Sequence, residues 1–218
     1  MDKNKEANGL DFLWCALYAC AGFAFELLLV QIEGLFGLDY RNFAVHESVI
    51  HWSVTSLVWI LIGFLIIYIG RKTTGYQIVE RGKSMVGWQY LALLACFLVN
   101  GFIKYNEWDG FKVLKEWESN GPLLFVFQYM YYIAEGFLMT LVIIYGQKAF
   151  ESWFKFKVFP YGGLILGLIW GLSHAFTKGD IYMGIFSAFA GFLFGSVYLL
   201  VNRDFLKTFL ITTLLFII

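Results

Sequence analysis

Seven apolar stretches, joined by short polar connections, constrain this chain more than any other feature. They cover about residues 10–34, 49–70, 84–103, 122–147, 160–176, 181–201 and 205–218. A hydrocarbon core of roughly 30 Å takes roughly 20 helical residues to cross. Inside it every backbone N–H and C=O must be bonded within the protein, which makes helices the spanning element for runs of this kind. The predicted fold is therefore all-α: a polytopic transmembrane helical bundle of about seven membrane helices, forming one integral membrane domain over 1–218. The fifth stretch is short and rich in glycine, and the seventh is also short. Composition agrees, since 60% of the 218 residues are hydrophobic and only 15% are charged. Soluble domains carry about 25% charged residues, so lipid has to cover part of this surface. A net charge of zero argues against a nucleic-acid partner.

The opening MDKNKEANG is polar, and the apolar run after it is too long for a signal-peptide core, so it reads as a retained first helix. Pro122 and Pro160 are expected at helix starts, where a missing N–H is harmless. Cys15, Cys20 and Cys96 fall in apolar stretches and read as buried free thiols. The region 104–121 looks like an amphipathic surface segment anchored by Trp108, Phe111, Val113, Leu114 and Trp117. With the N-terminus placed in the cytoplasm, eleven Lys and Arg residues fall on the cytoplasmic side and five on the other. The positive-inside rule therefore favours a cytoplasmic N-terminus.

Ionisable side chains within such helices are functional candidates by default. Glu26 lies inside the first stretch, His51 starts the second, Glu135 is near the middle of the fourth, and His174 is near the end of the fifth. In this orientation Glu26, His51 and His174 fall in the outer half and Glu135 near the midplane, so the four can meet. Each has a plainer reading: Glu26 as a protonated carboxyl bonded to a neighbouring helix, His51 as a ring at headgroup depth. His46 reads as a solvated loop residue, and Asn100 and Gln128 as interhelical glue. Trp170 and His174 stand at i and i+4 and share a face. Tyr129, Tyr132 and Glu135 share a face of the fourth helix, where the hydroxyls could bond the carboxylate or a substrate. Small residues recur every four positions at Gly163, Gly167, Gly171 and Ala175, and at Ser187, Gly191 and Gly195, a pattern that lets helix backbones approach closely. Glu and His are ligand types for a divalent metal, but these four sit on separate helices without HExxH-like spacing, a weak metal signal.

Over about residues 122–205 the chain resembles the CPBP family, the Abi or CAAX-protease-like intramembrane endopeptidases that include the type II CAAX prenyl endopeptidases. Glu135 stands where that family has its EExxxR motif, Trp170 to His174 (WGLSH) where it has FxxxH, and residues 186–200 resemble its glycine-rich helix. The chain departs from the pattern at Gly136 (second glutamate), Thr140 (arginine) and Trp170 (phenylalanine), and has no histidine after Gly195. The resemblance implies hydrolysis of a hydrophobic or lipidated peptide in a prokaryotic cell membrane. Glu135 would be the general base on water, with His174 stabilising or protonating the tetrahedral intermediate. Asn100, Tyr198 and Asn202 are the available oxyanion donors, and Glu26 with His51 could replace the missing third motif. Two other functions stay open: a non-catalytic binding or scaffold protein on the same fold, and a small transporter using the carboxylates and histidines as a proton relay. No internal repeat supports the transporter. A retinal protein is excluded, since no mid-helix lysine is available for a Schiff base.

Overall fold

The computed structural model describes residues 7–218; Lys3 and Lys5, counted in the orientation above, lie outside the described residues. Each predicted stretch is helical. In chain order the helices are α1 (Gly9–Leu35), α2 (Val45–Thr74), α3 (Gly87–Glu107), α4 (Lys112–Trp153), α5 (Tyr161–Leu166), α6 (Leu172–Lys178), α7 (Ile181–Leu200) and α8 (Phe205–Ile217). A 3-10 turn (Tyr40–Asn42) precedes α2, and a π turn (Gly167–Gly171) joins α5 to α6. Among the described residues there is no β-strand. Among the described residues five helices are long and apolar enough to cross a membrane: α1, α2, α3, α4 and α7. The fifth predicted stretch is the α5–π–α6 run, and the seventh is α8, of 13 residues.

α4 is the axis of the molecule. From Leu138 to Gln147 every residue is buried, as expected of a helix that is apolar all round and enclosed by others. α1, α2, α5 and α8 pack around it. α3 stands at the periphery against α7 and α8 and turns Leu91, Leu94, Leu98 and Phe102 outward. α2 likewise exposes Leu57, Leu61, Phe64 and Leu65. These apolar belts at helical spacing are the surface that lipid must cover.

Local chemistry sets the helix ends. Asn8 and Asp11 form a reciprocal capping box on α1. Gly75 closes α2 in the left-handed region at φ 68°, which glycine enters without a Cβ clash. Asp180 and Asp204 cap α7 and α8. Both prolines stand at helix starts: Pro160 precedes α5, and Pro122 follows Gly121, whose φ of 68° kinks α4.

The glycine stripes meet each other. A Cβ on Gly163 would lie 2.6 Å from the Gly191 carbonyl oxygen and 2.7 Å from the Gly195 Cα. One on Gly171 would lie 2.5 Å from the Ala188 Cα. The π-containing run and α7 are thus in backbone contact, which only residues without side chains allow. The segment 104–121 holds only half of its expectation. Phe111, Leu114 and Trp117 are exposed, whereas Lys112 and Glu116 are 4% and 2% exposed and face the interior. The correction is one of periodicity: two residues four apart lie on the face of this short helical stretch that packs on the bundle.

Candidate functional site

The π turn places Trp170, and one turn later His174, against the middle of α4. The Trp170 indole N–H donates to Glu135 Oε1 at 2.8 Å. His174 Nδ1 lies 2.9 Å from the Trp170 carbonyl. A carbonyl only accepts, so Nδ1 carries the proton and the neutral ring keeps its lone pair on Nε2. The two rings stand 4.5 Å apart between centroids. A π turn inside a helix is a recurrent device for re-aiming side chains at functional sites. Here it belongs to a helix already clamped to α7 by the glycine contacts, so Trp170 and His174 are presented from a rigid support.

Two chambers meet at this group. The first, of about 620 Å³, lies among α1, α2, α4 and α6 and is lined by Glu26, His51, Tyr131, Glu135, Trp170 and His174. The second, of about 520 Å³, lies toward α3 and the start of α7 and is lined by Lys104, Lys112, Gln128, Tyr132 and again Tyr131, Glu135, Trp170 and His174. Glu135, Trp170 and His174 are therefore common walls. Glu135 is 7% exposed, with one oxygen held by the indole. Both chambers reach the end of the bundle where α1 and α6 finish and α2 and α7 begin, as the lining residues Tyr40, Trp108 and Lys178 show.

Glu26 and His51 belong to a second group within the first chamber. The Tyr131 hydroxyl donates to Glu26 at 2.9 Å. His51 Nε2 lies 3.6 Å from Glu26, and its Nδ1 lies 2.9 Å from Glu33. The imidazole is thus held between two carboxylates, and Tyr131 connects that array to the wall it shares with Glu135. Depth in the sequence correctly brings Glu26, His51, Glu135 and His174 around one cavity.

Other expected partners are committed elsewhere. The Asn100 amide donates to the Leu215 carbonyl at 2.7 Å and lines neither chamber, which matches its reading as interhelical glue. Asn202 bonds Gln89 and the loop carbonyls of Lys83 and Ser84 at the opposite end. The Tyr132 hydroxyl does line the second chamber, but it donates to Glu116 at 2.6 Å, as Tyr129 does at 2.9 Å. Neither tyrosine bonds Glu135. His46 is exposed, and the three cysteines are buried and free.

Glu33, Tyr131, Glu116 and Lys112 escaped the sequence reading. Tyr131 was findable, because it stands four residues before Glu135 on the same helical face. Glu33 sits at the end of an apolar run and looks solvated until the loop folds back. Among the described residues no three His, Cys, Asp or Glu are grouped to hold a metal ion; Glu135 and His174 supply two such side chains to the shared wall.

Gly136 and Thr140, two of the positions that differ from the CPBP-like pattern, are tightly enclosed. A Cβ on Gly136 would collide with the Thr213 hydroxyl of α8. Thr140 is fully buried and bonds the Gly136 carbonyl at 2.8 Å. A side chain at residue 136 has no room while Thr213 of α8 occupies that face of α4. Comparison with protein-family models, curated proteins and solved structures gave no match to this chain. The site stands on its own geometry.

Proposed function

We propose that the chain is a CPBP-like intramembrane endopeptidase acting on a hydrophobic or lipidated peptide in a prokaryotic-type cell membrane. The observation that carries this reading is that Glu135 and His174, from different helices, wall the same two chambers with Trp170 fixed between them. A peptide bond admitted there would meet a water beside the free Glu135 oxygen. Glu135 takes the water proton while the hydroxide oxygen bonds the carbonyl carbon. His174, in the imidazolium form that takes its Nε2 proton from chamber water before the step, donates a hydrogen bond to the developing oxyanion and keeps that proton when the carbonyl re-forms. The C–N bond then breaks, and the proton held by Glu135 passes to the leaving amine. Glu26 and His51 line the approach and act as supporting groups. The reading also takes the N-terminus as cytoplasmic, with the α5–π–α6 run and α8 completing seven crossings; its support is the eleven-to-five bias of basic residues.

The test is cleavage of a quenched-fluorescence peptide bearing an acyl chain, in proteoliposomes. Glu135→Ala and His174→Ala are each expected to lower the rate by about 10²–10⁴-fold. Full cleavage by both folded variants would remove catalysis from this site.

A second reading, a non-catalytic peptide-binding protein, is favoured by two observations: Asn100 is spent on Leu215, and α8 fills the face where a second glutamate would stand. Its signature is saturable binding of the same peptide without cleavage, lost when Trp170 is truncated.

A further inference from the structure

We propose that Lys112 anchors an anionic phospholipid, its phosphate against the ammonium and an acyl chain along the outer groove between α3 and the start of α4. Lys112 lines two cavities at once. One is the second chamber, with Lys104 and Lys178. The other, of about 650 Å³, is an apolar groove formed by Gly101, Phe102, Tyr105, Val113, Leu114 and Ile218. Phe102 and Leu114 are exposed, so this groove opens on the surface that faces lipid.

The charge arrangement asks for an anion. Among the described residues the one carboxylate within 4.0 Å of the Lys112 ammonium is Glu116, at the full 4.0 Å. Glu116 is already occupied by donors from Tyr129, Tyr132 and Gln128. Of the three ammonium protons, one is placed on the Phe216 carbonyl at 3.2 Å. The rings of Tyr132 and Phe216 lie 4.3 and 5.0 Å away and supply only quadrupole attraction. Lys104 is paired with Glu107 at 3.4 Å, whereas Lys178 has no carboxylate within 4.0 Å among the described residues. A buried ammonium with two donors to spare, lining a chamber that also holds Lys178 and an apolar groove on its other side, matches the division of an anionic amphiphile into head and tail. The lipid binds whether or not Glu135 and His174 hydrolyse a peptide.

The test is native mass spectrometry of the purified full chain titrated with phosphatidylglycerol or with phosphatidylcholine of the same acyl chains. Phosphatidylglycerol is expected to bind about tenfold tighter. Lys112→Gln should abolish that preference, and Lys115→Gln, an exposed lysine outside both cavities, should keep it. Gly101→Leu tests the tail independently. A Cβ there meets nothing within 4 Å, so the helix accepts it while the side chain fills the groove, and affinity should fall by about tenfold. Should Lys112→Gln fail to fold, Gly101→Leu decides. Equal binding of the two lipids, wild-type affinity in Gly101→Leu, or displacement of the lipid by excess inorganic phosphate alone would overturn the proposal.

Discussion

The bond between Trp170 and Glu135 makes a quantitative prediction. The indole N–H reaches Oε1 at 2.8 Å, and Glu135 is 7% exposed, so a donor that is removed can be replaced only by water from the chambers that Glu135 walls. Leaving a buried acceptor unpaired costs about 1–3 kcal/mol, whereas removing both partners together is close to neutral. Trp170→Phe deletes the donor and keeps an aromatic ring in the contact with His174 and with Phe216, 5.7 Å away. Glu135→Leu deletes the acceptor with an apolar side chain of similar length. A double-mutant cycle cancels the packing losses that each variant carries singly and isolates the pair. The expected coupling is about 1–3 kcal/mol, so that Trp170→Phe costs much less in the Glu135→Leu background than in the wild type. The assay is reversible unfolding in mixed micelles followed by far-ultraviolet circular dichroism, with all four proteins in one detergent. Because His174 bonds the backbone carbonyl of residue 170, its anchor survives Trp170→Phe. Additivity within about 0.5 kcal/mol would refute the view that this bond holds α4 to the π turn.

Two further outcomes follow from the same packing. Gly136→Val drives a branched side chain into Thr213, and overpacking of this kind costs about 1–3 kcal/mol; the same unfolding assay should show it, while Gly136→Ala should be milder. At the N-terminus of α8, burial pushes the Asp204 carboxyl up, but the amides of Lys207 and Gly82 and the Lys207 ammonium outweigh it and hold the group below its ordinary value. A depressed carboxyl contributes stability that is complete above the unfolded value of about 3.9 and is lost as pH falls through the lower folded value. Asp204→Asn keeps an N-cap acceptor but removes the charge, so it should cost about 0.3–1 kcal/mol at pH 7, and the difference from wild type should shrink as the titration is carried below about pH 4.

What one helix can show was legible before any tertiary structure. Apolar runs located each main helical stretch, though not the helical turns before Gly121 or the π turn that divides the fifth run, because a backbone buried in lipid must bond within its own helix. The four-residue glycine repeats announced a backbone-close pair, and α5–π–α6 meets α7 through those positions. Depth along each run placed Glu26, His51 and His174 in the outer half and Glu135 near the midplane, and the four do line one chamber. The spacing of Trp170 and His174 revealed their shared face.

Choices between helices were not legible. The face shared by Tyr132 and Glu135 suggested a bond between them; the helical stretch before Gly121 folds back instead and gives the Tyr132 hydroxyl to Glu116. Lys112 and Glu116 read as surface residues because nothing local says which side of a short amphipathic helix meets the bundle. Glu33 joins His51 only through the return of the chain between α1 and α2. Gly136 differs from the CPBP-like pattern in sequence, and only the structure shows that a side chain there would meet Thr213, more than seventy residues away. Periodicity records what a helix repeats along its own axis. Its rotation and neighbours are set by long-range packing, and on this protein they decide which carboxylate the indole of Trp170 finds.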